Sequence, residues 1–175
     1  MTVLQLTPHA RARLFSDIAG MTFPAVGELR RNLYPHAGTA HPTCRRWLVE
    51  AYVPRGARAD YGLLGLEFAP GPAAIEVIVP YSGPHGATLT DSLAGQIDDV
   101  RVGLPEEYAE AVLDALCAAA VSLPSGVLRV CAAAHGRVGS SPKFFARLAA
   151  AVVSLMSEGD EDARQATITL RGLLV

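Results

Sequence analysis

Residues 127–156 read VLRVCAAAHGRVGSSPKFFARLAAAVVSLM, and the stretch divides into a strand, a glycine turn and a helix. Val127, Leu128, Val130 and Cys131 are apolar and mostly β-favouring, which suits a strand buried on at least one face. Gly136 and Gly139 interrupt the run. Ser140 or Ser141 then suits a helix N-cap, and Pro142 suits the first helical position, where its missing N–H is not needed. From Phe144 the apolar residues fall at 144, 145, 148, 152, 155 and 156, the spacing of one helix face. Gly159 stands where that helix should stop. A glycine turn feeding a serine-capped helix aims several backbone N–H groups one way. Gly136, Gly139, Ser140 and Ser141 therefore form a candidate anion-binding turn.

Upstream, Pro105 opens another helix, with Glu106 and Glu107 in the first turn, where negative charge complements the helix dipole. Tyr108, Val112, Leu113, Leu116 and Ala120 give it an apolar face, and it ends near Pro124. Three strands are expected before it, at 47–53, 61–68 and 73–79, the last two joined by a short proline-rich turn. In the first of them Trp47, Val49, Ala51 and Val53 alternate with Leu48, Glu50 and Tyr52; Trp47 reads as a core residue. Residues 81–100 are an irregular excursion rich in Gly, Pro and Asp. Residues 158–162 read as an acidic loop, and QATITLRGLLV (165–175) reads as a last strand. The order from residue 47 is thus β-β-β-α-β-α-β, which predicts an α+β two-layer sandwich with helices over one face of a mixed sheet. Residues 1–43 are expected to form a small helical N-terminal extension: one helix from Pro8 to Ile18 stopped by Gly20, a second from Pro24 to Leu33, then a loop over 35–43. Residues 44–175 would be the main domain.

Half of the 175 residues are hydrophobic but only 6% are aromatic, so the core must be built mainly from Ala, Val and Leu. No apolar run approaches the ~18 residues of a membrane span, and the N-terminus lacks the basic start and apolar stretch of a signal peptide. The expectation is a soluble, cytoplasmic chain with no membrane partner. Cys44, Cys117 and Cys131 are odd in number and lack a C-x-x-C pair, which argues for reduced thiols and against zinc. The five histidines form no metal-binding motif, and no metal or cofactor is expected. Asp98, Asp99, Glu106 and Glu107 are near enough in sequence to consider for a divalent ion, but a solvated loop and dipole pairing explain them more simply. Basic residues are fourteen Arg and one Lys, unevenly spread: residues 1–58 carry net +5, residues 59–175 net −7. The total of −2 excludes a generally basic nucleic-acid binder and leaves room for a local basic patch.

Three segments, in order, carry a family resemblance. They are Tyr61-Gly62-x-x-x-Leu66-Glu67-Phe68, preceded by an arginine-containing loop; Gly103-Leu104-Pro105-Glu106-Glu107-Tyr108 followed by Ala111-Val112; and His135, Val138, Ser140-Ser141 and Phe145. Across about 110 residues the region resembles domain IV of translational elongation factor G, of the ribosomal protein S5 domain 2-like fold. The resemblance implies a non-enzymatic domain that contacts the ribosome or another structured RNA through two tip loops, here 55–60 and 135–139. It makes Arg55, Arg58, His135, Arg137 and Lys143 the candidate RNA contacts, since arginine forks pair well with phosphate. The chain departs from the family in having no G-x-x-x-x-G-K-[ST], in Gly139 where the family has aspartate, in one extra residue between His135 and the serines, and in a longer excursion at 81–100. Other readings stay open. The same fold could serve as a protein-interaction module without RNA binding. The glycine turn is also similar to the phosphate loop of GHMP small-molecule kinases. Ser140 or Ser141 could act as a nucleophile if Lys143 or His135 served as its base.

Overall fold

The computed structural model describes residues 1–15, 20–34, 45–72, 74–83, 85–158 and 162–175. Eight strands form one sheet: β1 (Thr2–Gln5), β2 (Arg11–Phe15), β3 (Gly27–Leu33), β4 (Arg45–Arg55), β5 (Arg58–Pro70), β6 (Ile75–Tyr81), β7 (Val100–Val102) and β8 (Gly126–Gly136). Three helices accompany them: α1 (Glu106–Ala119), α2 (Pro142–Glu158) and α3 (Ala163–Leu174). The sheet order is β1-β2-β4-β5-β8-β6-β3. β7 pairs with the far end of β8. All pairings are antiparallel except β6 with β8, so the sheet is mixed. The expected α+β class and the two helices at 106–119 and 142–158 are observed.

α1 and α2 cover one face. Val49, Ala51 and Val53 of β4, Leu64, Leu66 and Phe68 of β5, and Leu128, Val130 and Ala133 of β8 are buried in the same cluster as Val112, Leu116, Phe145, Leu148 and Val152 of the helices. The alternation in β4 puts odd residues on this face, as a strand with period two must. In β8 the alternation would fail after Val130, since Leu128, Val130 and Ala133 do not share one parity. A β-bulge corrects it: Gly65 pairs with Ala132 and Leu66 with Val130, which leaves Cys131 as the extra residue. A Cβ on Gly65 would lie 2.7 Å from Leu48 Cδ1 and 3.0 Å from Ala132 Cβ, so the bulge needs glycine opposite it. Burial pushes the Cys131 thiol up to about 11, which keeps it protonated and inert. Cys117 is likewise buried, unbridged and shifted upward by burial.

The opposite face is covered differently. Leu48, Tyr61, Leu63, Ala132 and Ala134 point there and bury against Leu93, Ala94 and Val100. Most of that cover comes from the irregular excursion, not from a helix.

Two expected elements are corrected. The N-terminal extension is not helical: its described residues supply strands β1, β2 and β3 of the common sheet. Thr7, read as a helix cap, instead closes the β1–β2 turn, its Oγ1 accepting from the N–H groups of His9 and Ala10. Leu4, Leu6, Ala10 and Ala12 are buried, a period-two pattern that the helix reading overlooked. At the other end, 165–175 is not a strand but lies within α3. Its Ala166, Leu170 and Leu174 are buried at four-residue spacing, and Asp162 caps it by accepting from Arg164 N–H. The β-branched Thr and Ile residues misled because propensity yields to a well-placed apolar stripe. Trp47 is half-buried against the helix-side core. Cys44, the 35–43 loop and Gly159 lie outside the described residues. Among the described residues, no helix is long and apolar enough to cross a membrane.

Candidate functional site at the end of the sheet

The β4–β5 turn and the β8–α2 turn stand side by side. Register brings β8 to Ala134 opposite Leu63, so the chain leaves β8 beside the start of β5. Tyr61 N–H then donates to Gly139 O at 2.8 Å. Gly62 lets α2 settle on the sheet, since a Cβ there would meet Leu148, Phe144 and Phe145 at 3.2–3.4 Å.

The glycine turn does hold an anion, and that anion belongs to the chain. Asp98 accepts from Gly139 N–H at 2.7 Å and from Val138 N–H at 3.1 Å. Gly136 and Gly139 both leave room for it: a Cβ on Gly136 would lie 2.1 Å from Asp98 Oδ2, one on Gly139 3.1 Å. Ser140 Oγ accepts from Gly136 N–H and donates to Tyr61 O. Ser141 Oγ caps α2 by accepting from Phe144 N–H. The expected anion-binding turn is therefore filled from within, and an external anion would have to displace Asp98. Both serines are committed to backbone groups, and among the described residues neither bonds to His135 or Lys143.

The basic candidates divide. Arg55 lies at the tip but is tied down. It bonds to Asp60 and donates to the carbonyls of Leu174 and Val175 at the end of α3, where a cation complements the helix dipole. Arg147 does the same for Leu173 O. Arg58 and Lys143 are exposed and have no carboxylate within ion-pair distance among the described residues. Arg137 is 73% exposed and only 4.0 Å from Asp99. His135 is not at the exposed tip. It is 7% exposed, on the helix side of β8, with Tyr108 edge-on at 6.2 Å and Tyr108 stacked on Phe145. Its Nδ1 lies 3.1 Å from Gly103 O, and a carbonyl only accepts, so Nδ1 carries the proton and Nε2 is a free acceptor. Burial lowers its pKa and keeps the ring neutral, against the smaller opposing effect of the Gly103 bond.

His135 lines a cleft of about 790 Å³ between β7, the segment after β6 and the start of α1. Asp99, Arg101, Glu107 and Arg137 also line it. Arg101 holds Asp99 at 2.8 Å and, with burial opposing, lowers its pKa. Asp98 and Asp99 are thus engaged, and among the described residues no group of three His, Cys, Asp or Glu is placed to hold a metal ion.

One buried ionic group escaped the sequence reading. Glu50, on the side of β4 facing the excursion, is completely buried. Its Oε1 accepts from Tyr61 OH at 2.9 Å and from Leu93 N–H at 2.7 Å, and Arg13 stands 3.5 Å from Oε2. Burial raises the Glu50 pKa more than these partners lower it. Arg13 also holds Asp91 at 3.1 Å. A lone acid in the middle of an apolar strand was the available signal. Comparisons with models of protein families, with curated proteins and with solved structures found no match for this chain.

Proposed function

We propose that the chain is a non-enzymatic domain that contacts structured RNA, the ribosome first among candidates, through the basic rim of this end of the sheet. The observation that carries the reading is that Arg58 on the β4–β5 turn and Arg137 and Lys143 on either side of the β8–α2 turn stand around the paired turns, each with little or no carboxylate compensation. Phosphate contact needs such free cations; Arg55, tied to Asp60 and the end of α3, and His135, buried, are set aside as direct contacts.

The likeness to elongation factor G domain IV, with its S5 domain 2-like fold, supports the reading. The order β4-β5-β6-β7-α1-β8-α2 has both helices on one face and the two turns at one end. Two departures from the family also meet at one point: position 139 lacks the family's carboxylate, and the longer excursion supplies one from Asp98 to the same backbone amide.

The test is co-sedimentation with ribosomes, and filter binding to structured RNA, at low and moderate salt. Binding should weaken as salt rises, and an Arg58→Glu/Arg137→Glu/Lys143→Glu variant should lose it while Arg46→Ala keeps it. Each phosphate contact removed should lower the log–log salt slope by about 1. Absence of binding, or binding indifferent to the triple variant, overturns the proposal.

A further inference from the structure

Three features of the cleft at the start of α1 go beyond the RNA reading, which uses only Arg137 of its lining. The first is a pair of polar side chains in its wall, each nine-tenths buried. His135 bonds Gly103 O through Nδ1 and presents Nε2 to the cleft with no hydrogen-bond partner among the described residues, and Ser82, 7% exposed, has a sealed Oγ with none. Ser82 Oγ sits so close over Gly103 that a Cβ there would meet it at 2.2 Å; Gly103 has φ +128°, so glycine is required at that position. The glycine and the orphan hydroxyl are packed against each other at one place.

The second feature is charge of both signs facing the same space. Arg101 and Arg137 line the cleft with Glu106 and Glu107, and Asp99, also in the wall, pairs with Arg101 at 2.8 Å and lies 4.0 Å from the 73% exposed Arg137. α1 begins at Glu106, its N-cap Pro105 makes no side-chain cap, and Tyr108 N–H donates to Pro105 O. A simple anion would be repelled by the glutamates and a simple cation by the guanidinium groups. A small molecule with one charge of each sign matches both. The third feature is a second, more apolar recess of about 500 Å³ lined by Phe23, Pro24 and Val102, which shares Val26, Ser82 and His85 with the cleft.

We propose that this cleft binds a free α-amino acid with an apolar side chain. The carboxylate lies toward Arg101 and Arg137, and the ammonium donates to Nε2 of His135 and to Glu107. The side chain enters the recess beside Phe23. The neutral state of His135 agrees with this, because only the unprotonated Nε2 accepts from an ammonium group. The proposal shares Arg137 with the RNA reading, and Glu107 belongs to the cleft alone.

The test uses calorimetry and thermal shift on the whole chain, with leucine, valine and phenylalanine, with glycine and aspartate, and with the N-acetyl and methyl-ester forms of leucine. Inorganic phosphate serves as a single-charge probe. At least one of the three apolar amino acids should bind and raise the melting temperature. Glycine, aspartate and both blocked leucines should bind at least tenfold more weakly. Glu107→Gln and Arg137→Ala alter exposed side chains and should each weaken binding tenfold or more without lowering the melting temperature of the free protein. Arg46→Ala, at the other end of the sheet, should change nothing. The proposal is overturned if no apolar amino acid binds at up to about 10 mM. It is equally overturned if a blocked form or phosphate binds as well, or if Glu107→Gln leaves binding unchanged. Glu107 is not among the RNA contacts, so loss of amino-acid binding in that variant with RNA binding intact separates the two sites.

Discussion

The two faces of the sheet are covered by different physics. On one, α1 and α2 lay an apolar layer whose contacts are numerous and individually replaceable. On the other, the excursion after β6 has little regular structure and a smaller apolar cluster. Its polar pins among the described residues include Arg13 to Asp91, Glu50 to Leu93 N–H, and Asp98 to the N–H groups of Val138 and Gly139. A helix satisfies its own backbone and needs only an apolar stripe to dock. An irregular cover leaves backbone donors that side-chain carboxylates must meet one by one. The second face should therefore be the less stable, and its loss should be local.

The largest expected effect is on the helix face. Phe145 is fully buried beneath Tyr108 and over Gly62. Phe145→Ala should cost about 3–5 kcal/mol, read by urea or thermal denaturation as loss of the whole fold in one transition. A small or local effect would mean that the helices are not the main stabilising layer.

Next is the Glu50 pin. Glu50→Ala should cost about 2–4 kcal/mol, because it strands Leu93 N–H, the Tyr61 hydroxyl and part of Arg13, which retains Asp91. Glu50→Gln keeps an acceptor for Leu93 and should cost much less. The two variants also differ in pH dependence. The folded-state pKa of Glu50 is raised, so its contribution is fully present below the ordinary carboxylate value of 4.5 and is lost as pH rises through the folded value. His135 works in the opposite sense: its folded-state pKa is lowered, so its contribution is present above the ordinary value of 6.5 and is lost as pH falls. Glu50→Gln should remove the first slope and leave the second. Retention of both slopes in Glu50→Gln would show that another group carries the first.

The smallest of the three is Asp98→Ala, expected at about 1–2 kcal/mol for two backbone donors released near the surface. Amide exchange should speed up at Val138, Gly139 and Leu89, whose N–H donates to Val100 O within the excursion, while the core of α2 stays protected. Uniform acceleration across the molecule would erase the distinction between the faces.

Legibility in the sequence followed the same division. The helix face was readable because residues 144, 145, 148, 152, 155 and 156 repeat at the helical period and Pro105 and Pro142 mark helix starts. The excursion face was not, because its stability rests on contacts 40 or more residues apart, such as Glu50 with Leu93 and Asp98 with Gly139. Asp98 was visible as an acid among acids, and nothing local said which backbone it would meet. The N-terminal strands were misread for a related reason. Thr7-Pro8 is a start signal for a helix and a turn signal for a hairpin, and only the partner strand β4 decides between them.

What the sequence determined by itself was the set of local periods: a strand, a glycine turn and a capped helix at 127–156, a second helix opened by Pro105 before it, and a mixed α+β class. Those rest on intrinsic geometry and on one-dimensional spacing. Only the tertiary structure decided the occupant of the glycine turn, the burial of His135, the release of Arg58, Lys143 and Arg137, and the strand identity of residues 2–33. Each depends on which distant group fills a space or satisfies a charge, and spacing along a chain does not encode that.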